Sequence, residues 1–202
     1  MKITAKRKYA EAAFALCVLV FCEFVFFRNA LMSDALFGDI GDGRLTTLLT
    51  EHWWRFFTGK EKFTEIAMFY PCEEVFGYTD LFLGYGIVHS VFRLFGMDMY
   101  ISYKWTLILI HMMGTISMYY LLKKTLNCSL LWSLFGTIAF CFSNNYAIRI
   151  GHTQLNAVAY LPLLLIFLVS FFRNYQNRRR RNLYSYAFVI WFVLLTYTSW
   201  YV

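Results

Sequence analysis

The sequence predicts an all-α, polytopic transmembrane helical bundle, and three observations carry that class. Of 202 residues, 59% are hydrophobic and only 15% are charged, against about 25% charged in ordinary soluble domains. The apolar residues gather into runs close to the roughly 20 residues that a helix needs to cross about 30 Å of hydrocarbon. Short basic clusters flank those runs, the pattern of cytoplasmic loops in membrane proteins. Two prolines, 11 glycines and 22 phenylalanines exclude collagen-like and disordered chains, whose compositions differ in the opposite sense.

A first span is read over residues 10 to 27, after Lys2, Lys6, Arg7 and Lys8. It is read as an uncleaved helix, because bulky Phe26, Phe27 and Arg28 follow where a signal peptidase needs small residues. Further spans are expected at 101–122, 127–143, 156–172 and 183–202, giving five. Residues 80–95, DLFLGYGIVHSVFRLF, are apolar but broken by Gly84, Gly86, His89 and Arg93. If they crossed, Lys123, Lys124 and Arg178 to Arg181 would be external. If they lie at the interface, every basic cluster falls inside. The segment is therefore read as a re-entrant or interface-lying helix with Arg93 snorkelling.

That choice places the amino terminus in the cytoplasm and the chain in the cell membrane as a multi-pass protein. It makes residues 28–100 a long external loop holding ten of the twelve acidic residues, with a second external loop at 144–155. Within the first, residues 43–57 carry Leu45, Leu48, Leu49, His52, Trp53 and Phe56 at three- and four-residue steps, the period of an amphipathic surface helix. Glu51, His52, Trp53 and Trp54 there read as an aromatic belt. Asp80 is expected to cap the helix over 81–95, and Pro162 to kink the fourth span. The run ending at Val202 has no basic stop, so the carboxy-terminal part of the full protein is expected to be missing and this stretch to be inactive alone.

The net charge of +7 does not indicate nucleic acid, because its cations sit in the membrane-flanking clusters and not on a soluble module. Five cysteines without a CxxC pair and four histidines scattered singly support neither a disulfide framework nor a zinc site.

Two polar constellations can carry chemistry. In GDIGDGR, Asp39, Asp42 and Arg44 sit among three glycines. Two carboxylates three apart can share a divalent cation, magnesium or manganese, or supply a general base. The competing reading is a solvated turn with Asp42 as a helix cap. In IRIGHTQLN, Arg149 offers a rigid fork for phosphate, with His152 and Gln154 beside it. The competing reading there is a headgroup-level arginine and a capping histidine. Glu23, about one turn from the outer end of the first span, is read as structural, reaching water or a bundle partner.

One span, a long external loop with an acidic motif and two surface helices, then closely spaced spans: this order resembles the amino-terminal module of the GT-C superfamily of integral membrane glycosyltransferases, and within it the bacterial YfhO-like branch. The strings GDIGDGR, FYP, GYTD with LG following, FRLFG, and RIGHTQL with YLPL following carry the resemblance. It implies transfer of a sugar from a polyprenyl-phosphate donor to a glycan or lipid acceptor on the external face of the cell envelope. Asp39 and Asp42 would supply the base or metal ligand, and Arg44, Arg149, His152 and Gln154 the substrate contacts. The alternative from another class is a transporter or flippase of lipid-linked glycans, which would need charged residues deep in several spans; Glu23 and Lys104 come nearest.

Overall fold

The computed structural model describes residues 5–33, 41–66, 68, 69, 71–148 and 151–202, and every regular element among them is helical. In chain order these are α1 (Ala5–Met32), α2 (Asp42–Phe57), α3 (Leu83–Leu94), α4 (Met99–Tyr120), α5 (Leu130–Cys141), α6 (Asn144–Ile148), α7 (Leu161–Arg173) and α8 (Arg178–Thr196). A π-helical turn, Leu121–Thr125, continues α4, and a 3-10 helix, Thr153–Tyr160, leads into α7.

The long apolar runs become helices because good helix formers such as Leu recur in them and no proline falls in a helix interior, Pro162 lying in the first turn of α7. In α1 the buried positions Ala15, Leu19, Glu23 and Phe27 follow one another at four-residue steps, so the helix presents a single stripe to its neighbours. Many of its other apolar side chains, Phe14, Phe21 and Phe24 among them, are exposed. α4 is the hub and packs against α1, α2, α3, α5 and α7. At Gly114 of α4 a Cβ would come within 2.9 Å of the Ala159 Cβ; small residues on both sides let the two backbones approach closely.

Among the described residues three helical stretches are long and apolar enough to cross a membrane: Arg7–Met32, Met99–Thr125 and Thr153–Arg173. The other two expected spans differ. The run at 127–143 yields the 12-residue α5, about 18 Å long. The run at 183–202 is not helical to its end: α8 stops at Thr196, and Thr198 and Ser199 are buried. There the Phe82 and Leu83 amides donate to the carbonyls of Thr198 and Tyr197, and the Gly84 amide to Thr198 Oγ1. The first amides of α3, which no helical carbonyl can reach, are thus satisfied by the end of α8.

Several local expectations are corrected by the same packing. Asp80 does not cap α3. The residue before that helix is Phe82, in the left-handed region at φ +52°, while Asp80 Oδ1 accepts the Trp200 amide at 2.8 Å. Pro162 does not interrupt α7, because it sits in the first turn of that helix, where its missing N–H has no partner to lose. Arg93 does not snorkel; its guanidinium binds Glu51 and the Met97 carbonyl. Nor is α2 a purely surface helix. Leu49 and Trp53 are buried as the period requires, but so are Thr46, Thr47, Thr50, Glu51 and His52, because α2 packs along α3; Glu51 finds its partners there, the threonines bond to carbonyls of their own helix, and His52 bonds to the loop after it.

The bundle has two chemically distinct ends. Lys123 lies 3.9 Å from Glu11, which also meets Arg7 at 3.5 Å. The start of α1 and the end of α4 therefore share one end, and α7 packs against the same π-helical turn. The opposite end is formed by the start of α2, the start of α3, the start of the 3-10 helix and the end of α8.

Candidate functional site

At that second end the two polar constellations meet. α2 begins at Asp42, and Gly41 before it has no side chain to cap the helix, which leaves Asp42 as the acidic residue of the first turn. Its Oδ2 lies 2.7 Å from His152 Nδ1 across the bundle, with side chains 43% and 52% exposed. Asp42 also lines a cleft of about 80 Å³ together with Thr79, Asp80 and Gln154, floored by Leu45, Leu49 and Phe82. Arg44 is exposed and stands outside that lining. Asp39 and Arg149 lie outside the described residues.

A buried hydrogen-bond relay fixes this meeting. Thr46 Oγ1 and the Tyr103 hydroxyl are 2.7 Å apart, Tyr103 is hydrogen-bonded in turn to Thr153 Oγ1, and Tyr85 donates to the Thr153 carbonyl at 3.1 Å. Thr153 is fully buried and is thereby tied to α2, α3 and α4. Its neighbours His152 and Gln154 are held beside Asp42 as a consequence. None of Thr46, Tyr85, Tyr103 or Thr153 stands out in the sequence, because a threonine or tyrosine in an apolar helix carries no periodic signal.

Asp80, a helix cap by its sequence position, also lines this cleft. It is 8% exposed, and burial raises its carboxyl above the ordinary aspartate range, offset in part by the Trp200 amide. Its partner is 120 residues away, beyond the reach of any local pattern.

The four histidines, scattered in sequence, each pair with a carboxylate: His52 with Glu61, His89 with Glu51, His111 with Glu23 and His152 with Asp42. The first two belong to a network between α2, α3 and the loop after α2. Glu51, 3% exposed, accepts from His89 Nε2 at 2.9 Å and from Arg93 at 3.1 Å. Arg93 Nε stands 3.0 Å from the same carboxylate but off the hydrogen-bonding direction, so it counts as a charge contact alone. Burial would push the Glu51 carboxyl up, but the bonds from His89 and the charge of Arg93 outweigh it and hold it below the ordinary glutamate value. The expected aromatic belt is thus half ionic; Trp53 is buried, with its Nε1 donating to the Leu81 carbonyl at 2.6 Å.

The Glu23 pair is inside the bundle. His111 Nδ1 faces both carboxylate oxygens, at 2.9 and 2.8 Å, and Thr115 Oγ1 donates to Oε1 at 2.6 Å. His111 Nε2 meets the Cys141 carbonyl at 3.0 Å. Both ring nitrogens meet acceptors, so both bonds are made at once only when the ring carries two protons. Phe26 stacks on that ring, with centroids 5.0 Å apart.

Among the described residues no group of three or more His, Cys, Asp or Glu is arranged to hold a metal ion. Comparison with known protein families, with curated proteins and with solved structures finds no match to this chain.

Proposed function

We propose that this chain is the amino-terminal module of an integral membrane glycosyltransferase that moves a sugar from a polyprenyl-phosphate donor to a glycan or lipid acceptor. The observation that carries the reading is the half-exposed Asp42–His152 pair at 2.7 Å, which joins the acidic motif of the first loop to the RIGHTQL segment at the mouth of one cleft. A carboxylate accepting from Nδ1–H fixes the imidazole ring and favours its doubly protonated form, in which Nε2 also donates a hydrogen bond. A departing phosphate needs such a donor, and Arg149, three residues before His152, would add charge. The cleft lies at the end of the bundle away from the basic turn, which by charge distribution is the external face. A lipid-linked donor would approach it along the exposed apolar side of the helices.

The test is donor binding. In membranes carrying the full gene product, His152→Ala should weaken binding of a polyprenyl-phosphate sugar about tenfold, the worth of one charge-assisted hydrogen bond. Undiminished binding would remove the site from the reading.

A second reading, transport of lipid-linked glycans, is favoured by one observation: the buried, hydrogen-bonded pair of Glu23 and His111 between α1 and α4, since ionisable groups at membrane depth commonly serve transport. Movement of a lipid-linked glycan across vesicles that ceases in Glu23→Gln, with no sugar transferred, would select it.

A further inference from the structure

We propose that Asp80 is the proton acceptor of the cleft, with Asp42 serving to hold His152. The inference rests on the glycosyltransferase reading and names the residue that would deprotonate the acceptor.

The two carboxylates that line the cleft sit in different surroundings. Asp42 is partly solvated and already paired with His152. Asp80 is nearly buried, and Oδ1 accepts the Trp200 amide, which leaves Oδ2 for the cleft that the residue lines. The side chain is anchored without being neutralised, since the bond from Trp200 is a backbone N–H and not a cation. Its walls are Phe82, Leu49 and Leu45, with Thr46, Thr79 and Gln154 as the uncharged polar groups. Among the described residues the ionisable group that shares its cleft is Asp42, itself paired with His152. Burial raises its affinity for a proton, the direction a general base needs to work near neutrality. When environments push two neighbouring carboxyl groups apart in this way, their roles separate.

The segment that holds Asp80 is itself held. Thr198 accepts from the Phe82 amide and its hydroxyl oxygen accepts from the Gly84 amide. A Cβ on Gly84 would meet Thr198 Oγ1 at 2.6 Å and the Tyr160 hydroxyl at 2.5 Å. The strap from Tyr197 to Trp200 therefore sets both the start of α3 and the orientation of Asp80.

In the step proposed, the acceptor hydroxyl oxygen forms a bond to the anomeric carbon of the sugar. The bond from that carbon to the phosphate oxygen breaks, and its electron pair leaves with the polyprenyl phosphate, hydrogen-bonded by His152. The hydroxyl proton passes to Asp80 Oδ2.

The experiment compares the full gene product with its Asp80→Asn variant in membranes, using a polyprenyl-phosphate sugar as probe. Asn keeps an oxygen for the Trp200 amide, so the fold should persist, and an unchanged melting temperature checks this. Donor affinity should stay within about twofold, turnover should fall about a hundredfold or more, and the decline of parent activity on acidification, which reports the base, should disappear. Turnover retained in Asp80→Asn overturns the role of Asp80 alone. A loss matched by a fall in melting temperature and donor binding also overturns it, since Asp80 would then be structural. No transfer by the parent overturns the glycosyltransferase reading and this role with it.

Discussion

Removing the Glu51 side chain should destabilise the bundle by about 3 kcal/mol. Deleting one partner of a buried ion pair costs about 3–5 kcal/mol, because the other charge is stranded. Glu51→Ala would strand His89, which is fully buried and whose Nδ1 already lacks a partner. The loss falls at the lower end of the range because Arg93 is partly exposed and can turn to water. Arg55, 3.8 Å away and 45% exposed, adds little, as exposed pairs are worth about 0–1 kcal/mol. Denaturant unfolding in detergent, followed by far-ultraviolet circular dichroism at neutral pH, measures the difference, with Arg55→Ala as a near-silent control. Acid adds a second check. The folded Glu51 carboxyl lies below its ordinary value of 4.5, so its contribution is fully present above that pH and is lost as pH falls through the folded value. The gap between parent and variant should therefore shrink on acidification. A Glu51→Ala variant as stable as the parent at neutral pH, or a gap that widens in acid, would refute this account of the network.

Gly86→Ala should cost about 1–3 kcal/mol, because the new methyl would collide with the Trp53 indole, which its bond to Leu81 prevents from stepping aside; an unchanged unfolding midpoint would contradict that packing. Glu23→Leu should lower the melting temperature by stranding His111, and adding His111→Phe should restore part of the loss, since a buried pair replaced by apolar residues is often neutral; full stability of the single variant would show that the pair does not hold α1.

What was legible in the sequence follows from the range of each signal. The runs around Phe21, Leu107 and Leu164 announced α1, α4 and α7, because composition over twenty residues decides whether a helix can sit in hydrocarbon. The amphipathic period found α2 through Leu49 and Trp53, yet it mistook the role of Glu51 and His52. A periodicity reading counts charge as exposure and cannot see His89 and Arg93 waiting on α3. Glycine-rich GDIGDGR drew attention to Asp42, and the Arg149 fork in IRIGHTQLN drew attention to His152. Their contact depends on Thr153 being pinned by Tyr103 and Tyr85, each at least 50 residues away. Asp80 was misread for the same reason: the nearest plausible partner was a helix start, and the real one, the Trp200 amide, is contributed by a run that looked like membrane span to its end.

The central claim is that Asp42, through His152, serves sugar transfer at the shared cleft. The measurement that tests it most directly is transfer of labelled sugar from a polyprenyl-phosphate donor by membranes carrying the full gene product, parent against Asp42→Asn. Asn preserves shape but gives the imidazole a neutral partner in place of a charged one. The account predicts measurable transfer by the parent and a loss of about a hundredfold or more in the variant, comparable to removing a positioned acid–base group, with folding intact. Equal transfer by parent and variant would contradict it.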